Sequence, residues 1–366
     1  MTTISLYTVY HKATHILQNP FIKPIQVGKG DDIDGISCRD NQGDNISAKN
    51  DSYCELTAQY WMWKQDHHSD YIGLMHYRRF FDFHKDASHT LKNYGVIEED
   101  AFHLDFSKKY GLNEENMRAQ IEPYDIILPH PWNVRQDGWK NLRHHYDAAP
   151  YHHARDLNIT REVIAKDYPA YLPHFDAMQQ AHSGYFTNMF IMRRQLFAEY
   201  STWLFAVLAE VEKRADISAY GVQERRVFGY LSERLFNVWL QKKLAEQPKL
   251  KINHLHRIFI QDTTAKAWYA APVSSDKPVV SVVIASDDHY TPHLGALICS
   301  IRDHFPADKF LDLIILDGGI SQEHQKMLAR LLPAHAQIQF LELAGEFQQL
   351  ATHMHFSRAT FYRLVL

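Results

Sequence analysis

Residues 71–83 read "YIGLMHYRRFFDF". An unbroken apolar run, "YIGLM", leads straight into His76, Tyr77, Arg78 and Arg79. A continuous apolar stretch bounded by polar residues is the mark of a strand buried on both faces, as in a parallel sheet. The same character recurs outward along the chain. Strands are expected at 4–10, 22–27, 71–77, 124–128 and 185–192, and helices near 53–65, 114–121, 195–213 and 223–243. Strands alternating with helices predict an α/β fold. In open α/β sheets, ligands sit beyond the carboxyl ends of the strands. Arginine presents a planar fork of donors matched to phosphate oxygens. Arg78, Arg79 and His76 are therefore candidates to neutralise a diphosphate. The alternative is that one arginine pairs with a carboxylate such as Asp82 while the other is solvated.

The segment "YAAPVSSDKP" (269–278) is small, polar and punctuated by proline, and reads as a linker. It separates an expected domain at 1–268 from a second at 279–366. There the pattern restarts with "VVSVVIAS", a helix near 292–305, "LDLIIL", a helix and "IQFLEL". It ends inside the helical pattern "SRATFYRLVL", with fewer strands than an open parallel sheet needs, so the second domain is expected to be cut short.

The 366 residues carry 39 Lys and Arg against 43 Asp and Glu, a net charge of −4. That balance argues against a general nucleic-acid binder, so any basic site has to be local. Cys38, Cys54 and Cys299 are far apart with no CxxC pair, which fits reduced thiols. The start "MTTISLYTVYHK" lacks the basic and long apolar regions of a signal peptide. No apolar run nears the ~20 residues of a spanning helix. A cytoplasmic protein is expected, one that can rest on a membrane without crossing it.

Four further stretches carry candidate chemistry. In "GDNISAKNDSYCELTAQYWMWKQ" (43–65), Ser52 and Glu55 fit a capping box, and Tyr53, Leu56, Tyr60 and Trp63 form one apolar face. Its polar entry loop is either an anion site at a helix start or simply the lead-in to a well-capped helix. Asp32-Ile-Asp34 has the spacing of a divalent-cation pair but sits in a glycine-bearing loop, so metal binding there is not favoured. The 24 histidines include doublets at 67–68, 144–145 and 152–153, which diverge in regular structure and read as surface residues. In "GVQERRVFGYLSERLFNVWLQKK", Val227, Leu231, Leu235 and Val238 form a buried stripe, with Arg226, Tyr230, Glu233 and Asn237 opposite. That opposite face is either solvated or closes over a site and offers Glu233 as a general base.

Taken in order, "YTVYHK", "PIQVG", "DNQGDNISAKNDSYCELTAQYWMWK", "YIGLMHYRRFF", "YDIILP", "NMFIMRR" and "RRVFGYLSERL" resemble glycosyltransferase family 111. That family was long catalogued as a domain of unknown function in bacterial polysaccharide clusters. The resemblance covers about residues 1–265 and implies a GT-A-like, Rossmann-related domain. It further implies transfer of galactofuranose from UDP-galactofuranose to a growing surface glycan, O-antigen or capsule, with inversion. A different sugar nucleotide such as UDP-galactopyranose, or a non-catalytic glycan-binding scaffold, are the alternatives. By position, Thr8, His11, Lys12, Val27 and Gly28 are expected near the nucleotide. Asp44, Asn45, Ser47, Lys49 and Asn50 are expected around the donor, with Asn188 facing the transferred sugar. Arg78 and Arg79 would take over a metal's task of stabilising the departing UDP, and Glu233 would accept the acceptor's proton. No cofactor is expected in this domain, manganese being compatible but not favoured. The implied partners are the UDP-sugar and a lipid-linked or oligosaccharide acceptor, which would bring the protein to the inner face of the membrane; a homo-oligomer is compatible with this.

From residue 279, "VVSVVIASDDHYTPHLGALICSI", "LDLIILDGGIS" and "HFSRATFYRL" resemble the nucleotide-binding half of glycosyltransferase family 8. The resemblance implies a partial second GT-A-like domain, with Ala285, Ser286, Asp287, Asp288, Tyr290 and Arg363 at a nucleotide site. The later aspartate pair and H-x-x-G-x-x-K motif of that family do not occur, so this half is expected to be inactive.

Overall fold

The computed structural model describes residues 2–84, 91, 95–103, 106–263, 266–267 and 275–343. The chain divides into two compact units: Met1–Phe102 with Phe106–Ala265, and Lys266–Leu366 with His103–Asp105.

The first unit is built on β1 (Ile4–Tyr10), β2 (Ile22–Gln26), β3 (Cys38–Arg39), β4 (Tyr71–His76), β5 (Arg79–Phe81), β6 (Val96–Glu99), β7 (Ile126–Pro129), β8 (Phe190–Arg193), β9 (Ile252–Leu255) and β10 (Arg257–Ile260). Seven of them run in the order β9-β7-β8-β4-β1-β2-β3. β1 pairs in parallel with β2 and β4, β9 pairs in parallel with β7, and β8 is antiparallel to both its neighbours. β1 and β4 are buried at every position, as expected for central strands covered on both faces. Gly73, mid-β4, is where the strands pack closest. A Cβ there would stand 2.7 Å from Leu6 Cδ2 and 2.9 Å from Ile191 Cγ1.

The expected strand at 71–77 stops one residue early, because the chain reverses. Tyr77 and Arg78 form a turn, and Arg79 opens β5, antiparallel to β4 through the His76–Arg79 pair. β5 in turn pairs with β10. The arginine doublet therefore sits on a hairpin tip rather than on a trailing strand end. The strand expected at 185–192 is shortened to Phe190–Arg193, since Thr187 (φ 88°) and Asn188 (φ 47°) leave extended geometry.

One face of the sheet carries α1 (Asn50–Tyr53), α2 (Leu56–Gln65), and two long helices, α3 (Arg194–Glu212) and α4 (Val227–Glu246). The opposite face packs an aromatic cluster that includes Phe80, Phe81, Phe83, Phe102 and Tyr110. The helix expected over 53–65 is broken at Cys54 (φ 51°, ψ −131°), and the capping box does not form. Ser52 Oγ donates back to Lys49 O (3.2 Å), and Glu55 makes no side-chain cap. In α4 the stripe Val227, Leu231, Leu235 and Val238 is buried, but so are Arg234 at its edge and Asn237 on the face expected to oppose it. The helix is enclosed nearly all round, and no solvated face exists at Glu233.

The second unit holds a three-stranded parallel sheet of β11 (Val279–Ser286), β12 (Phe310–Asp317) and β13 (Ala336–Glu342), in that order. Helices α5 (Thr291–His304) and α6 (Gln322–Ala329) connect them. Most of the expected linker at 269–278 and the helical pattern "SRATFYRLVL" lie outside the described residues.

Candidate active site

A cavity of about 660 Å³ opens beyond the carboxyl ends of β1, β2 and β4. Its wall takes Val9 from β1, His11 and Val27 from just beyond the ends of β1 and β2, and His76, Tyr77, Arg78 and Arg79 from the β4–β5 hairpin. The helical layer adds Asn50, Asp51, Cys54 and Glu55, and the segment before α4 adds Val222, Arg225 and Arg226. Four arginines thus line one space, two of them from the hairpin.

Their states differ. Arg78 donates from Nε to Ile260 O and from Nη2 to Gln261 O, each at 3.1 Å, and lies 4.2 Å from the Phe259 ring centre. It is held by backbone carbonyls, not by the carboxylate partner that the alternative reading offered. The Arg79 side chain engages no hydrogen bond among the described residues, so its fork is free for a ligand. Burial holds the Arg79 guanidinium below its ordinary pKa, with Glu55 and Glu233 opposing that shift.

Behind the arginines lies a pinned loop. His76 Nε2 donates to Thr187 O (2.6 Å), Thr187 N donates to Glu233 Oε1 (2.7 Å), and Asn188 Nδ2 donates to Glu55 Oε1 (2.7 Å). Ser232 Oγ completes the grip on Asn188 Oδ1 at 3.0 Å. Residues in such sparsely populated backbone regions cost roughly 1–3 kcal/mol each, and persist where their surroundings over-determine them. Here three elements do so.

Burial pushes the His76 imidazole down to about 4, so it is neutral near pH 7. Burial alone would raise the Glu55 carboxyl, but the neighbouring His76, the Asn188 amide and Arg79 outweigh it and hold it below the usual range. Glu233 goes the other way, pushed up mainly by burial and further by Glu55.

Of the residues expected at a donor site, His11, Val27, Asn50, His76, Arg78 and Arg79 line the cavity. The others stand elsewhere. Thr8 is fully buried inside β1, its Oγ1 without a hydrogen-bond partner among the described residues. Strand alternation turns its neighbour Val9 to the cavity instead. Lys12 is exposed, 5.5 Å from the Tyr77 ring centre. Gly28 supports the wall indirectly: at φ 78° it lets Asn50 Oδ1 approach to within 2.8 Å of where a Cβ would sit.

The polar loop satisfies itself and does not form a donor cradle. Asp44 takes Lys64 (3.7 Å) and the Tyr60 hydroxyl (3.1 Å), and Asn45 closes its own turn. Ser47 donates to Asp40 (2.5 Å), and Lys49 pairs with Glu212 (2.6 Å). Asn188 and Glu233 line a separate void of about 10 Å³, room for about one water.

Asp32 is taken by Arg39, and neither it nor Asp34 reaches the cavity. No three His, Cys, Asp or Glu side chains converge on a metal position among the described residues. Three histidines expected on the surface, His145, His152 and His153, are half-buried. His145 accepts from Arg234 (2.9 Å), and His152 packs 4.3 Å from the Tyr230 ring.

In the second unit, Ser286 is buried at the end of β11, next to Ala285. Asp287 Oδ1 accepts from Tyr290 N (3.2 Å), and Asp288 Oδ1 holds Ser321 N (2.8 Å) and His324 Nδ1 (2.7 Å). Tyr290 is exposed, and Arg363 lies outside the described residues.

Sequence reasoning missed Cys54, Arg225 and the place of Glu55 in the cavity wall, whereas Arg226 stands on the helix face offered as one that closes over a site. A signal existed for the arginines: Arg225–Arg226 repeats the doublet of Arg78–Arg79. None existed for Glu55, whose S-x-x-E context mimics a cap.

The model of the family described as "Domain of unknown function (DUF4422)" matches residues 5–244. The chain belongs to that family. The apo structure of the WbbM bifunctional glycosyltransferase is similar to this DUF4422 chain, with a TM-score of 0.69 and 36% identity. The match covers 99% of this chain and 64% of that one, so this chain spans somewhat under two thirds of its neighbour's length. Over 88 residues the chain is also 27% identical to general stress protein A of Bacillus subtilis (strain 168), which is 24% of this chain and 31% of that protein. The mixed α/β fold with its parallel central strands is of the GT-A-like type. No helix among the described residues is long and apolar enough to cross a membrane.

Proposed function

We propose that this DUF4422 chain is a glycosyltransferase that moves a hexose, galactofuranose from UDP-galactofuranose, to a hydroxyl of a growing bacterial surface polysaccharide. One observation carries the reading: four arginines line one cavity at the carboxyl ends of the parallel strands, in a chain alike over nearly its whole length to a glycosyltransferase. Guanidinium groups match the oxygens of a diphosphate and keep their charge when partly desolvated. In this reading Arg79, with Arg78 beside it, binds the β-phosphate end of UDP and takes the charge that develops as it departs. Charge stabilisation by preorganised donors in a water-poor site is a large share of such catalysis. A buried carboxylate accepts the proton of the attacking hydroxyl, and the sugar is transferred with inversion.

Product analysis tests this. The protein is offered UDP-galactofuranose and UDP-galactopyranose with a synthetic galactoside acceptor, and the linkage is read by NMR. Galactofuranoside product with inverted configuration is expected. Product from UDP-galactopyranose alone would replace the donor assignment. Absence of UDP binding and of any product would favour a scaffold.

A further inference from the structure

Cys54, Thr187 and Asn188 are the non-glycine residues with positive φ among the described residues. Cys54 lies more than 130 positions from the adjacent pair Thr187–Asn188, yet the three flank a single hydrogen bond, Asn188 Nδ2 to Glu55 Oε1 at 2.7 Å. The break at Cys54 ends α1 and sets Glu55 ahead of α2, where its side chain reaches the cavity instead of capping the helix. The left-handed pair at 187–188 brings the Asn188 amide to meet it. Costly backbone on both sides of one contact marks a carboxylate whose position matters.

The two buried carboxylates are not equivalent. Glu55 lines the large cavity, whereas Glu233 faces the small void and holds the amide of Thr187. Asn188 fixes Oε1, and no other residue among those described donates a hydrogen bond to the Glu55 carboxylate. A carboxylate amid arginines repels a diphosphate, so Glu55 suits the end of the cavity where sugar and acceptor meet.

We infer that Glu55, not Glu233, is the catalytic base of the transfer, and that Asn188 and Glu233 are positioning residues. This rests on the transferase reading above. The acceptor oxygen forms its bond to the anomeric carbon as the bond from that carbon to the β-phosphate oxygen breaks. The electron pair leaves with UDP, and the hydroxyl proton passes to Glu55 Oε2.

The test compares Glu55→Gln, Glu55→Asp and Glu233→Gln in the full chain, with kcat, KM and UDP affinity measured for each. Gln keeps the oxygen that Asn188 holds, so Glu55→Gln is expected to fold and to bind UDP like the wild type. Its kcat falls about 10²–10⁴-fold, the usual contribution of a general base. Glu55→Asp restores part of that loss, and Glu233→Gln stays at least tenfold more active than Glu55→Gln. A Glu55→Gln enzyme within threefold of wild-type kcat, or the reverse order of the two glutamine variants, overturns the assignment while leaving the transferase reading intact. A wild-type chain that neither binds UDP nor transfers sugar removes both. If Glu55→Gln fails to fold, Glu55→Asp and Glu233→Gln decide: an Asp variant as active as wild type, or less active Glu233→Gln, counts against Glu55.

Discussion

The different states of Arg78 and Arg79 give a prediction that separates binding from stability. The Arg79 side chain has no hydrogen bond in the described structure and sits in the cavity wall, so its removal deletes ligand contacts and few internal ones. A hydrogen bond to a charged group contributes about 1.5–3 kcal/mol. Loss of one such contact to a phosphate therefore weakens UDP binding by about 10- to 150-fold. Stability of the unliganded protein should change less than for Arg78→Ala, because relief of a desolvated cation beside Arg78 offsets the lost attraction to Glu55 and Glu233. Arg78 behaves in the opposite way. Its bonds to Ile260 O and Gln261 O tie the hairpin to β10, and two neutral-acceptor bonds at about 0.5–1.5 kcal/mol each make Arg78→Ala destabilising by about 1–3 kcal/mol. The assay is isothermal titration of UDP together with urea unfolding of the free proteins, for Arg79→Ala, Arg79→Lys and Arg78→Ala. Lysine should not restore affinity, since a point charge lacks the fork. If Arg79→Ala binds UDP within twofold of wild type, or if it is the less stable of the two alanine variants, the reasoning fails.

Three further outcomes are expected. Gly73→Ala should lower stability by about 1–3 kcal/mol in urea melts, since its Cβ would press on Leu6 and Ile191; an unchanged midpoint would show that these side chains yield freely. His76 has a folded pKa of about 4 against an ordinary 6.5, so the unfolded chain takes up its proton first as pH falls. The stability it contributes is full above about pH 6.5 and is lost towards pH 4. The wild-type unfolding free energy should therefore drop more steeply over that window than that of His76→Gln, and parallel curves would refute the assignment. Transfer activity should survive excess chelator, because the arginines are assigned the task a metal would perform; loss reversed by manganese would be decisive against that.

Local chemistry made much of the framework legible. The apolar runs at 4–10 and 71–77 are strands because a chain buried on both faces has to be apolar at every position. The stripe of Val227, Leu231, Leu235 and Val238 announces a helix by its period alone. Even the basic character of the site was visible, since two arginines following a buried strand call for an anion.

What short-range pattern could not supply was convergence. Glu55 meets Asn188, and His76 meets Thr187, across more than a hundred residues. Those meetings depend on the turn at Tyr77–Arg78, the break at Cys54 and the left-handed pair at Thr187–Asn188. Of the non-glycine positive-φ residues only Asn188 is of a type that tolerates such backbone, so packing from several elements outweighs local preference at Cys54 and Thr187. Local preference therefore chose the strands and helices, and tertiary packing decided which carboxylate faces the arginines.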